Sequence, residues 1–356
     1  MSRFLNDKYI SLEEYVPGEQ PTDMQYIKLN TNESPFRPSP SVYKAISEEE
    51  IDKLQLYPDP ECGELVKKLA EYYGFDEENI FVGSGSDEVL NFAFMAFCQN
   101  GAAFADITYG FYEVFSALHG IETKIIPLKE DFSICPDDYK GVGKAVFIAN
   151  PNAPTGMDID LPAIESIVLS NPDNVVIVDE AYVDFGGKSA VDLVRKYDNL
   201  LVVRTFSKSR SLAGGRLGFS IGSRELTSDL KKLKYSTDPY NVNRLTLLAG
   251  EASLSDKKYF EDNINKIIEN REYTTDGLIK MGFEVLPSKT NFVFARSGEI
   301  EGEKLYRLLR ENGILVRHFN KERIRDFIRV TIGTKDQMKA FLSEVRYILE
   351  SGAKEK

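Results

Sequence analysis

The sequence has no tryptophan and only two histidines, His119 and His318. That count alone excludes a multi-histidine metal centre, and no metal is expected. Its three cysteines, Cys62, Cys98 and Cys135, stand far apart with no Cys-x-x-Cys pair. Zinc knuckles and local dithiol redox motifs are therefore ruled out. Such sparse, odd cysteine usage suits a reducing cytoplasm. No apolar run approaches the about 18–20 residues of a membrane span. Met1 to Glu14 are polar and lack a signal-like apolar stretch, so neither secretion nor membrane insertion is expected. Basic residues are outnumbered, 44 against 56, for a net charge of −12. That sign argues against nonspecific nucleic-acid binding and against an anionic membrane surface.

What is present suits a soluble globular chain of 356 residues, 42% apolar and 28% charged. At roughly 100–200 residues per domain, two lobes are expected. Pro17, Pro21, Pro35, Pro38 and Pro40 mark residues 1–40 as an extended arm. Helices are expected over 41–55 and 61–73, and from Asp87 to Cys98. Short apolar strands recur at Ile80–Gly83, Ala102–Asp106, Thr123–Pro127, Ala145–Asn150, Val175–Asp179 and Leu200–Arg204. Strands alternating with helices imply an α/β fold with a mainly parallel sheet covered on both faces. After about residue 250 the pattern changes. A long helix, Lys257 to Met281, precedes strand-like pieces at Phe292–Ala295, Ile314–Val316 and Phe327–Ile332, with helices near Gly302–Asn312 and Lys335–Leu349. The expected division is an arm (1–40), a large α/β domain (41–250) and a small α+β domain (251–356).

Ligands of open α/β sheets bind at the carboxyl ends of strands. After Ile80–Val82 comes Gly83-Ser84-Gly85-Ser86-Asp87, small residues before a helix that could present backbone N–H groups to a phosphate. Ser86 or Asp87 acting simply as a helix cap is the plainer alternative. The dinucleotide fingerprint fails because Glu88 stands where its third glycine belongs, and Gly187-Lys188-Ser189 fails as a P-loop because Tyr182 replaces the leading glycine. Asp179 ends another strand, where burial is costly without a partner. Lys208 follows a third, in Arg204-Thr205-Phe206-Ser207-Lys208, flanked by hydroxyls, with Arg210 and Arg216 nearby. A lysine so placed could be a Schiff-base nucleophile. Alone, each reads equally as a core acid or a surface cation. Together they read differently. Asp179 and Lys208 are 29 residues apart, about one strand–helix–strand unit, and Arg216 lies eight residues further on. An acid, a lysine, an anion cup and an arginine are the parts that pyridoxal phosphate needs.

With these parts in place the sequence resembles the fold-type I aminotransferases, and within them the histidinol-phosphate group. The likeness runs through Lys28 to Pro35, Tyr57-Pro58-Asp59, Gly85-Ser86-Asp87-Glu88, Asn150 to Gly156 and Asp179 to Phe185. It continues through Thr205-Phe206-Ser207-Lys208, Leu212 to Gly218 and Arg329 to Gly333. The resemblance implies that Lys208 holds pyridoxal 5'-phosphate and moves a proton between substrate and cofactor carbons. It implies that Asp179 pairs with the pyridine nitrogen, that Tyr182 and an asparagine bond the ring's 3-hydroxyl, and that Tyr109 stacks on the ring. Ser86, Asp87, Thr205, Ser207 and Arg216 would hold the phosphate, joined by Tyr57 from the other subunit of a homodimer. Arg329, Arg317 and Tyr15 would meet the substrate. The implied reaction converts histidinol phosphate and 2-oxoglutarate to imidazole-acetol phosphate and glutamate, in histidine biosynthesis. Threonine-phosphate decarboxylase and other fold-type I aminotransferases are the alternatives. A non-catalytic effector domain is a poor match, because the arm holds no basic or helix-turn-helix segment. Three positions depart from the family pattern. Ala153 replaces the usual asparagine before Pro-Thr-Gly, so Asn152 or Asn150 is the expected substitute, Asn152 first, unless the contact is left to Tyr182; Gly215 replaces a bulkier residue, and Ile107 a proline.

Overall fold

The computed structural model describes residues 2–10 and 12–354. The outer limits of the expected arm and small domain, residues 1 and 355–356, lie outside that range. In the arm, β1 (Ile27–Lys28) is a two-residue strand. The large lobe is built on seven strands: β2 (Ile80–Gly83), β3 (Ala102–Ala105), β4 (Thr123–Ile126), β5 (Ala145–Ala149), β6 (Val176–Asp179), β7 (Leu200–Thr205) and β8 (Gly218–Ile221). Their order across the sheet is β2-β8-β7-β6-β5-β3-β4. The strand pairs from β7 through β4 are parallel, while β8 runs antiparallel to both of its neighbours.

Both faces of this sheet are dry along its inner strands, while three of the four residues of the edge strand β4 are exposed, and the strand sequences show why. Val176, Val178, Val202 and Ile148 pack into one apolar cluster, while Ile177, Leu201, Val203 and Phe147 pack into another on the opposite face. Successive side chains alternate between faces, so an unbroken Val/Ile run is what a sheet covered twice requires.

The small lobe carries the antiparallel sheet β12-β13-β10-β9, made of β9 (Phe283–Val285), β10 (Phe292–Ser297), β12 (Arg317–His318) and β13 (Phe327–Thr331). The helices Lys257–Lys280, Gly302–Glu311 and Lys335–Lys354 belong to the same part of the chain. Between them β11 (Ile314–Leu315) pairs in parallel with β1. The arm is thus stitched to this lobe, and Leu29 joins its core.

Two local expectations are revised. The helix expected over 41–55 is two helices, Pro40–Ala45 and Glu48–Asp52, followed by a 3-10 turn at Lys53–Gln55. Ser47 restarts the chain by accepting the Glu50 N–H, and three glutamates fill the new first turn. The helix after β2 begins at Gly85, and neither Ser86 nor Asp87 caps it. Instead Glu88 Oε2 reaches back to accept the Ser84 N–H at 2.7 Å.

The antiparallel β8 was absent from the sequence-based reading, and it decides the geometry of the site. Its amino end lies where the neighbouring strands have their carboxyl ends, Gly218 pairing with both Gly83 and Thr205. A β-carbon on Gly218 would stand 2.2 Å from the Ser86 amide nitrogen. Gly218→Ala is therefore expected to push the first helical turn off the sheet and lower stability by about 1–3 kcal/mol. A urea midpoint equal to wild type would refute this reading of the contact.

Candidate active site

β2, β6 and β7 end at Gly83, Asp179 and Thr205, on the edge where β8 begins. On that edge an inner cup is lined by Ser86, Asp87, Tyr109, Ala153, Asp179, Tyr182, Thr205, Ser207, Lys208 and Arg216. It adjoins an outer cleft of about 770 Å³ that Tyr15, Arg317 and Arg329 line, with Tyr109, Ala153, Tyr182 and Lys208 common to both. Two of the expected residues are elsewhere. Asn152 lines neither space. Its amide accepts from the Thr108 hydroxyl and donates to the Ile107 carbonyl and the Thr155 hydroxyl, so it is consumed in holding the loop. The position facing the cup is Ala153. Tyr57 is exposed and stacks on Tyr240 at 4.5 Å between centroids, away from the cup of its own chain.

Asp179 is buried at the end of β6. Its carboxylate accepts the Tyr112 hydroxyl at 2.9 Å and the Ala181 N–H at 3.1 Å. Burial pushes its pKa up to about 6, against the pull of those two donors and of Lys208. Lys208 Nζ donates to the Thr31 carbonyl at 3.4 Å, so the arm reaches the reactive amine.

Asp179 and Lys208 are braced from behind by their own neighbours in sequence. Glu180 accepts from Arg204, from the Ser189 hydroxyl and from the Ala190 N–H. Arg204 also pairs with Asp184, which accepts the Ser209 hydroxyl at 2.6 Å. Burial raises the Glu180 pKa despite Arg204, whereas Asp184 is held below the usual carboxylate range because Arg204 and Ser209 outweigh its burial. One buried guanidinium thus ties the residue after Asp179 to the residue after Lys208.

The anion cup is built from backbone amides, the Thr205 and Ser207 hydroxyls and one arginine. Arg216 has a left-handed backbone, φ 51°, and its Nη2 reaches Asp87 at 2.8 Å. The other Asp87 oxygen accepts the Tyr109 hydroxyl at 2.6 Å. With the Asp87 side chain so engaged, the N–H groups of the first turn from Gly85, which no intrahelical carbonyl can satisfy, remain at the wall of the cup. A β-carbon on Gly85 would come within 2.6 Å of Arg216 Nη2. The cradle therefore needs glycine there, at φ +81°.

Arg329 is half-buried, its Nη2 donates to the Asn30 carbonyl at 3.1 Å, and its inaccessible Nε has no partner. Arg317 grips the arm through the Val16 and Pro17 carbonyls at 2.9 and 3.2 Å. Two guanidinium groups lining one cleft suit a carboxylate or phosphate. As a set, the cup's residues fit a planar aromatic amine-acceptor that carries a phosphate. First-turn amides, two hydroxyls and a guanidinium meet the anion, a buried acid meets a ring nitrogen, and a lysine meets the carbonyl. Tyr112, Arg204 and Asn32 were not singled out from sequence. Tyr112 has a signal, because it stands three positions after Tyr109 across the start of a helix.

Fold and site together are those of a pyridoxal-phosphate type of transferase, and the chain belongs to the class I and II aminotransferases, whose family pattern it matches over residues 24–345. It is 51% identical over 354 residues to the histidinol-phosphate aminotransferase of Brachyspira hyodysenteriae, covering 99% of this chain and 100% of that one. Among solved structures, the histidinol-phosphate aminotransferase of Clostridium acetobutylicum superposes with a TM-score of 0.84 at 26% identity, over 91% of this chain and 99% of that one. The Sinorhizobium meliloti histidinol-phosphate aminotransferase, solved in complex with pyridoxal-5'-phosphate, shares the fold with a TM-score of 0.83 at 24% identity, over 92% of each chain. The chain takes its place in the histidinol-phosphate aminotransferase family.

The Asp179 carboxyl has a testable consequence. Its pKa is 3.8 without burial and about 6 in the fold. Between those values the folded chain holds a proton that the unfolded chain has released. Stability from this group is therefore lost as pH rises through that window. In the ligand-free protein, wild type should lose up to roughly 3 kcal/mol relative to Asp179→Asn between about pH 4 and about pH 7. Parallel urea-unfolding curves for the two proteins would contradict the assignment.

Proposed function

We propose that this chain transfers the amino group of L-histidinol phosphate to 2-oxoglutarate, giving imidazole-acetol phosphate and glutamate, with pyridoxal 5'-phosphate held in the inner cup. The supporting observation is that two guanidinium groups, those of the half-buried Arg329 and of Arg317, line the same cleft as Lys208. When bound, the cofactor supplies an electron sink for charge that develops at the carbon bearing the amine. The chain's residues do the rest. Asp179, ionised, keeps the pyridine nitrogen protonated. Tyr109 packs against the ring and Tyr182 donates to its 3-oxygen. Ser86, Asp87, Thr205, Ser207 and Arg216 hold the phosphate, the first two chiefly by backbone N–H. Lys208 Nζ would take up the proton from the substrate Cα as general base and later give it up as general acid. Arg329 and Arg317 hold the substrate's anionic groups in turn, the phosphate of one substrate and the carboxylates of the other, with Tyr15 closing the cleft from the arm.

The same reading makes the active unit a homodimer. Tyr57, exposed and stacked on Tyr240, then reaches the phosphate of the neighbouring subunit. The arm comprises residues 1–40, the large domain 41–250 and the small domain 251–356, in a cytoplasmic enzyme. Among the described residues, no helix is long and apolar enough to cross a membrane.

The purified protein should be yellow. L-Histidinol phosphate added without any keto acid should replace the visible band by that of the aminated cofactor. A yellow protein indifferent to histidinol phosphate would shift the substrate assignment to threonine phosphate or another amine. A protein that stays colourless with added pyridoxal phosphate would overturn the mechanism. Lys208→Ala should fold normally and show no transamination, and normal turnover in that variant would also overturn the reading.

A further inference from the structure

Ala153 presents a methyl group to the cup where the family's usual asparagine would add an amide donor. An amide that reaches Tyr182 comes instead from Asn32, in the arm. Asn32 is buried, and its backbone is left-handed at φ 56°, a conformation asparagine tolerates better than most residues. Asn291 Nδ2 fixes this turn by donating to the Asn32 carbonyl at 2.9 Å.

The direction of each hydrogen bond around Asn32 can be worked out. The Thr331 hydroxyl accepts the Asn32 backbone N–H at 2.9 Å and donates its one hydrogen to Asn32 Oδ1 at 3.1 Å. Turning the amide over would set Nδ2 against Thr331 and leave that hydroxyl hydrogen without this acceptor. The amide is therefore held with its nitrogen outward, and Nδ2 donates to the Tyr182 hydroxyl at 2.9 Å. A phenol has one hydrogen. Since Tyr182 Oη accepts from Asn32, its own hydrogen is left for the cup, where Lys208 Nζ stands 5.9 Å from the phenol ring centroid.

We propose that Asn32 is a positioning residue that, held by Thr331, sets the Tyr182 hydroxyl as a donor into the cup and so takes over the orienting work of the amide absent at position 153. This rests on pyridoxal phosphate occupying the cup. Asn32 acts through Tyr182 and needs no contact with the cofactor.

Asn32→Asp is the direct test. It keeps the size and the left-handed preference, but puts an acceptor where Nδ2 was, so the phenol hydrogen turns away from the cup. With fewer donors toward the cofactor's 3-oxygen, the bound chromophore should keep its proton to higher pH. Its pKa, read from visible absorption, should rise by about one unit, and the pyridoxal phosphate dissociation constant should rise several-fold. The rise should vanish when Asn32→Asp is made in a Tyr182→Phe background, because the route runs through the phenol. Thr331→Val, which frees the amide to turn, gives a second reading should Asn32→Asp fold poorly; it should produce a smaller rise, also lost in Tyr182→Phe. A shift of equal size in both backgrounds would mean that the introduced charge acts directly, and would overturn the inference. So would Asn32→Asp and Thr331→Val chromophores that titrate as wild type. A wild-type chain that takes up no pyridoxal phosphate would instead overturn the functional reading, and this inference with it.

Discussion

Asp179 is an acid at the end of a buried strand with no cation paired to it directly. Two neutral donors, the Tyr112 hydroxyl and the Ala181 N–H, are its bonded partners. Burying a carboxylate on such terms is expensive, and the raised pKa measures the debt. A protonated ring nitrogen arriving at that oxygen would relieve it. Tyr112 is one turn of helix from Tyr109, the sheet delivers Lys208 one strand away, and the reversed β8 delivers Arg216 to the same edge.

Precision at such a site depends on what lies behind it. Arg204 points away from the cup into a polar cluster with Glu180, Asp184, Ser189 and Ser209. A buried ion network is weak evidence for stability, since desolvation offsets much of its attraction. Its value here is geometric: one planar group with fixed donors sets the spacing of the β6 and β7 loops that carry Asp179 and Lys208. The glycines at Gly85 and Gly218 do the complementary work, letting the helix, β8 and Arg216 approach more closely than any side chain would permit.

The parts legible in sequence were those whose chemistry is local. The Val/Ile runs announced the parallel strands because a doubly covered strand has no polar face, and Lys208, Asp179 and Arg216 stood out at strand ends. β8 was missed because Gly218-Phe219-Ser220-Ile221 is short, and its glycine and serine look like loop. The helix over 41–55 was read as continuous because a capping serine inside a polar run resembles any other surface residue. Asn152 was a sound guess for a missing amide. Which of two neighbouring residues faces a cavity is settled by turns that bond to Ile107 and Thr108, and spacing cannot show that. Asn32 owes its role to partners 150 and 299 residues along the chain, and Arg204 to side chains on the loop of the neighbouring strand, which no local pattern encodes.

The Asn32 bonds also bear on the order in which the molecule can be completed. Asn32 is bonded to Tyr182, 150 residues on, and to Thr331, 299 residues on. β1 pairs with β11, near the same end. During synthesis the arm is made before these partners, and Thr331 and β11 come long after it. The large sheet can close from its own segments while the arm waits unpaired. The pocket then becomes whole only when the final strand arrives, so a ribosome-bound fragment that ends between Lys208 and β13 carries the lysine and the acid without the Thr331 contacts that hold Asn32.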